Sequence, residues 1–149
     1  MLRATKVFKP TDLPESNSSG YPTPFRDGQR KRWNRRLGDY GGLKNYGVNF
    51  VRVEPGGQSS ARHAHTKQDE FVYIIEGEFV LVTDAGRETV GPGTCIAFPA
   101  GTGDGHHFLK KLTIRPFRPL RGHFVIRTIG TSAMLGCAIR LRWSRWRLG

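Results

Sequence analysis

The sequence predicts an all-β chain whose short antiparallel strands close into a barrel or sandwich. Three observations predict this. Apolar, β-rich runs are short, turn signals separate them every six to ten residues, and no stretch of helix length repeats its apolar residues with helical period.

The strands are expected in chain order. Residues 48–54 are the first: Val48, Phe50, Arg52 and Glu54 alternate with Asn49, Val51 and Val53, and Pro55-Gly56-Gly57 ends the run. Residues 60–65 and 70–75 follow, separated by the polar bend 66–69, and Glu76-Gly77 turns the chain back. Residues 78–83 then lead to Asp84-Ala85-Gly86, a hairpin loop where glycine supplies positive φ at little cost. Residues 87–90 return, Gly91-Pro92-Gly93 turns again, and residues 94–98 run into the glycine-rich loop 99–105. Cys95 lies in that apolar run and is expected to be a small core residue.

Upstream, residues 1–20 read as a flexible lead-in, because Lys9-Pro10 and Leu13-Pro14 interrupt helix and Ser16-Asn17-Ser18-Ser19-Gly20 resembles a linker. Residues 21–25 form an extended Tyr-Pro-Thr-Pro-Phe segment. Arg30, Lys31, Arg32, Arg35 and Arg36 surround Trp33 and read as a solvated stretch paired with nearby acids. Residues 37–42 read as a turn.

The chemistry concentrates between Gly57 and Gly77. His63 and His65 are two residues apart, so in a strand both imidazoles point to one side. Glu70 follows the bend and opens the apolar run Phe71-Val72-Tyr73-Ile74-Ile75, so a returning strand can bring its carboxylate beside the two rings. Imidazole nitrogens with a carboxylate suit Zn, Fe, Ni, Cu or Mn. Val72 and Ile74 share the face of Glu70, while Phe71, Tyr73 and Ile75 face the other way. Exposed on a monomer, those three make an apolar patch, so the N-terminal arm or a second copy of the chain is expected to cover it.

The spacing Gly57, five residues, His63, one residue, His65, four residues, Glu70, six residues, Gly77 resembles the first motif of the cupin superfamily. Gly93, five residues, Pro99, one residue, Gly101 resembles the first half of its second motif. The second half departs. Four residues, Thr102 to Gly105, separate Gly101 from the next histidine where the family usually has two, and Lys110 stands where asparagine is usual. The resemblance implies a small single-domain, RmlC-like member: an antiparallel double-sheet jelly-roll barrel with an extended N-terminal arm (1–45), a cupin core (46–109) and an atypical basic C-terminal tail (110–149). It implies one divalent metal ion (Fe, Mn, Ni or Zn) on His63, His65, Glu70 and His106, with His107 as the alternative fourth ligand. It also implies a homodimer.

Charge and composition narrow the rest. The formal net charge is +12. Residues 1–104 carry 14 Lys+Arg against all 12 Asp+Glu, whereas residues 105–149 carry 10 Lys+Arg and no acid. The excess therefore belongs to the tail and not to the part that holds the candidate site. Arg140, Arg142, Arg145 and Arg147 with Trp143 and Trp146 allow a nucleic-acid contact by charge and stacking. The abrupt change near Leu109 fits a shifted reading frame in a GC-rich gene better. No run approaches the roughly 20 apolar residues of a membrane helix, no apolar secretory segment opens the chain, and two cysteines make no disulfide framework. A cytoplasmic location is the default.

Three functions follow. The first is a metal-bound cupin taking a small oxygen-rich ligand, as a dioxygenase, decarboxylase or isomerase. The second is a non-catalytic cupin that binds or senses such a ligand. The third, a basic nucleic-acid-binding protein, is the weakest, because no helix-turn-helix pattern is present. Ser59-Ser60 has no triad context, and Glu76, Glu78 and Arg62 read as surface groups.

Overall fold

A computed structural model describes residues 5–20, Arg26, residues 30–111 and the backbone of residues 122–129. The expected segment 21–25, Cys137 and the end of the tail lie outside the described residues.

Eight strands are described: β1 (Arg32–Arg36), β2 (Tyr46–Val53), β3 (Asp69–Glu76), β4 (Phe79–Thr83), β5 (Gly86–Val90), β6 (Cys95–Phe98), β7 (His107–Lys110) and β8 (Gly122–Ile129). They form a five-stranded sheet of order β1-β2-β8-β3-β6 and a three-stranded sheet of order β5-β4-β7, and every pairing is antiparallel. This is the double-sheet jelly roll expected. β8 comes from the acid-free region and lies between β2 and β3, so a strand from that region closes the larger sheet.

Alternation decides what each strand buries. Along β3, Glu70, Val72 and Ile74 are buried while Phe71, Tyr73 and Ile75 are exposed. Val72 and Ile74 meet Val51, Val53, Phe79, Leu81, Val90 and Phe108 in one core, with Ile96 and Phe98 packed against it. Burying such side chains contributes roughly 1.5–3 kcal/mol each, which is why the inner face carries so few polar groups.

Four expectations are corrected. Residues 60–65 form no strand. The chain bends through residues 59–62, between the isolated bridges Gln58↔Leu109 and His63↔His106 that tie it to the β7 region. Residues 37–42 hold a short helix, α1 (Leu37–Gly41), ended by Gly42 in the left-handed region. Cys95 is exposed, because pairing with Tyr73 puts it on the outward face of β6. Arg62 is only partly exposed and is engaged by two neighbours described below.

The lead-in is held by ion pairs. Ser16 and Asn34 exchange backbone hydrogen bonds of 3.0 and 2.8 Å at the free edge of β1. Glu15 accepts from the buried Arg52 (2.8 Å) and pairs with Arg35 (3.5 Å), while Arg52 also reaches Glu54 at 3.2 Å. Trp33 donates to Glu54 at 3.0 Å and carries the Arg52 guanidinium over its ring. Arg36 pairs with Asp39. Several charges of the basic cluster thus meet acids within the chain, as expected.

Lys110 is 3 % exposed; its ammonium donates to the Glu78 carbonyl at 3.0 Å and lies over the Phe79 ring. Burial pulls its pKa below the usual lysine value, with Glu78 and Glu76 opposing. An amine with a lowered folded pKa binds fewer protons folded than unfolded in the window between the two values. Stability therefore rises with pH across that window, up to the unfolded value of about 10.4. Urea unfolding from pH 8 to 10.5 should show wild type gaining on a Lys110→Met variant as pH rises. Parallel curves would contradict this.

Candidate metal centre

Each candidate ligand is set by its backbone. Gly57 allows the chain to leave β2: a Cβ there would lie 2.7 Å from the Lys31 Cβ and 3.0 Å from the Glu54 carbonyl oxygen. The segment then runs beside β7, and His63 and His106 exchange backbone hydrogen bonds of 3.2 and 2.9 Å. Gly101, at φ 77°, turns the second-motif loop so that its N–H meets the His65 carbonyl at 2.9 Å. Asp69 accepts from the Ala100 N–H at 2.8 Å and holds the same loop to the start of β3.

These ties bring three imidazoles to one carboxylate oxygen. Glu70 Oε2 lies 2.9 Å from His65 Nε2, 3.3 Å from His106 Nε2 and 3.7 Å from His63 Nε2. The donor atoms of His63, Glu70 and His106 all lie within 4.8 Å of one another. Glu70 and His106 are buried; His63 and His65 keep only 13 % and 15 % of their side-chain surface. His63 Nδ1 lies 2.9 Å from the Ala61 carbonyl, which leaves Nε2 to face the cluster.

The electrostatics match a shared anion. Burial alone would raise the Glu70 pKa, but hydrogen bonds from His106, His63 and His65 hold it well below the usual carboxylate value. Burial alone would lower His63, but the Glu70 carboxylate outweighs it and raises that imidazole. A carboxylate among imidazole nitrogens is a donor set that fits a divalent cation.

His107, the alternative ligand, stands apart. It precedes the core residue Phe108 on β7, and its Nδ1 is buried with no hydrogen-bond partner among the described residues. Burial, then the charges of Arg62 and Arg87, push its pKa down to about 4. Sequence reasoning missed Phe98, whose ring stacks on His106 with centroids 3.6 Å apart and planes at 9°. Its place directly before Pro99 of the second motif was the available signal; its position opposite Glu70 comes from the strand register.

A double-sheet barrel with a buried histidine–carboxylate cluster defines a class of small β-barrels whose interior can hold a metal ion. Comparison with known proteins makes the class specific. The cupin-domain family model matches residues 49–111. A solved sugar phosphate isomerase of the cupin superfamily from Silicibacter pomeroyi is 39% identical, with a TM-score of 0.77, over 85% of this chain and 76% of that one. The chain belongs to the cupin superfamily. The polyketide cyclase RemF from Streptomyces resistomycificus (23% identity, TM-score 0.65, 83% and 78% covered) shares the fold. So does a predicted oxalate decarboxylase from Thermotoga maritima (15% identity, TM-score 0.64, 84% and 99% covered). A search of curated proteins found no match.

Proposed function

We propose that this cupin holds one divalent ion (Fe, Mn, Ni or Zn) through His63, His65, Glu70 and His106, and uses it to act on a small oxygen-rich substrate. The observation that carries the reading is the convergence of three imidazole Nε2 atoms on the Glu70 Oε2 atom. A bound ion would supply Lewis-acid polarisation of a substrate oxygen. The chain's own part is to present three imidazole nitrogens and one anion, to fix the His106 ring against Phe98, and to put dry apolar surface on the ligand face of β3 with Val72 and Ile74. Among dioxygenase, decarboxylase and isomerase chemistries, isomerisation of a phosphorylated sugar leads, because the 39%-identical relative is described as a sugar phosphate isomerase.

The test is metal-loaded protein with aldose and ketose phosphates in deuterated water, followed by NMR. Interconversion, lost in Glu70→Ala, supports isomerisation. Saturable binding without turnover would assign the chain to the non-catalytic, sensing role instead. Oxygen uptake with Fe(II) and small acids would move it to the dioxygenase class.

We also propose a homodimer formed through the outer face of β3 and β6. Phe71, Tyr73 and Ile75 are 38 to 42 % exposed there, beside Ala97 and Cys95 in register. Near β1 and β2, by contrast, the chain's own lead-in already binds Arg35 and Arg52 through Glu15. Light scattering should give twice 16.7 kDa for wild type and the single mass for Tyr73→Asp; a monomeric wild type would contradict the proposal.

A further inference from the structure

The second-motif loop is longer than the family pattern, and the fold shows what holds the extra length. Arg62, beside the ligand His63, sends its guanidinium across to that loop. Its Nε donates to the Gly105 carbonyl at 2.8 Å, immediately before His106. Its Nη2 donates to the Asp84 carboxylate in the β4–β5 turn. The Asp84 backbone N–H in turn donates to the Asp104 carboxylate at 2.7 Å. Asp104 belongs to the lengthened stretch, as does Thr102, whose hydroxyl accepts from the Asp104 N–H at 3.4 Å.

The clasp therefore joins three chain segments around one ligand. A guanidinium suits this place, because its planar fork can serve a carbonyl and a carboxylate at once from fixed directions. Lysine presents a single rotatable ammonium and cannot reproduce both directions. The fit at the loop is close: a Cβ on Gly105 would lie 3.2 Å from Arg62 Nε and 3.4 Å from its Cγ. The adjacent backbone is the His63–His106 bridge, so any slip of Gly105 displaces the His106 ring from Glu70. The clasp also sets which of the two adjacent histidines turns inward. His106 is 2 % exposed and meets Glu70, while His107, next along β7, is not among the clustered donors.

We propose that Arg62 is a positioning residue for the metal centre: with Asp84 and Asp104 it locks the lengthened loop so that His106, and not His107, completes the ligand set. The proposal rests on the metal-centre reading above, and its test keeps the two separable.

Two measurements on the full chain, wild type against Arg62→Lys and Arg62→Gln, test it. The first is amide hydrogen exchange of metal-free protein at His63 and His106. The second is the visible spectrum and dissociation constant of the Co(II)-loaded protein. Loss of a supporting group commonly costs roughly 10–100-fold in metal affinity. Both variants should exchange the His106 amide at least tenfold faster, bind Co(II) about 10–100-fold more weakly and show an altered spectrum. In Arg62→Lys this should happen although the charge facing Asp84, and most of the thermal stability, is kept. Unchanged exchange and an unchanged Co(II) spectrum in folded variants would overturn the proposal. If wild type binds no Co(II), the metal reading fails and the exchange result still decides whether the clasp positions His106.

Discussion

Glu70→Ala will abolish metal-dependent stabilisation of this protein. In wild type, free metal at 100 times its dissociation constant should raise unfolding stability by about 2.7 kcal/mol, the value expected for an ion that binds only a folded chain. Glu70 is the one carboxylate in the cluster, and its Oε2 atom lies within 3.7 Å of all three imidazole Nε2 atoms. Without it the cavity presents three imidazole nitrogens and no anion, so the charge that offsets desolvation of a divalent ion is lost. The loss of affinity should therefore exceed the roughly 100-fold upper range for a mere supporting group. Thermal unfolding with and without Zn(II), Mn(II) or Ni(II) measures it. A Glu70→Ala variant stabilised by metal as much as wild type would show that the carboxylate is not a ligand.

Phe108→Ala will cost about 3–5 kcal/mol, the range for a large aromatic removed from a core. That is a large share of the 5–15 kcal/mol typical of a whole domain. Phe108 is 1 % exposed and makes two edge-to-face ring contacts, with Phe79 at 6.4 Å and with Phe98 at 6.2 Å between centroids. Phe98 then stacks on His106. The row Phe79–Phe108–Phe98–His106 carries core packing directly into the candidate metal site. The variant should therefore lose metal affinity as well as stability, even under conditions where it stays folded. A Phe98→Leu variant should weaken metal binding with a smaller loss of stability. Urea unfolding and metal titration of both variants check the pair; a Phe108→Ala variant with intact stability would contradict the core assignment.

The sequence was most legible where one residue type has one job. Period-two alternation in β3 showed which residues face the core, and Gly57, Gly77 and Gly101 marked backbone positions that the fold needs open or turned. It was less legible where partners are distant. Residues 60–65 alternate like a strand, but the chain bends at residues 59–62, and between the bridges Gln58↔Leu109 and His63↔His106 it spends five steps against its partner's three. Cys95 sits in a run with no alternation, so its outward direction comes only from the register with Tyr73. Arg62 read as a surface group because its partners, Gly105 and Asp84, are 43 and 22 residues away. The Phe98 stack on His106 likewise depends on two strands meeting at Glu70.

The charge break near Leu109 remains a proposal about the gene. Lys110, a buried amine where the family pattern has asparagine, and the acid-free residues beyond it motivate a shifted frame. Resequencing the gene across codons 105–149 tests it, and an intact frame would contradict it.

The most direct measurement of the central claim is elemental analysis of purified protein beside a His63→Ala/His65→Ala variant. The account predicts about one Fe, Mn, Ni or Zn per wild-type chain and none in the variant. A folded wild type that holds no metal even after reconstitution would contradict it.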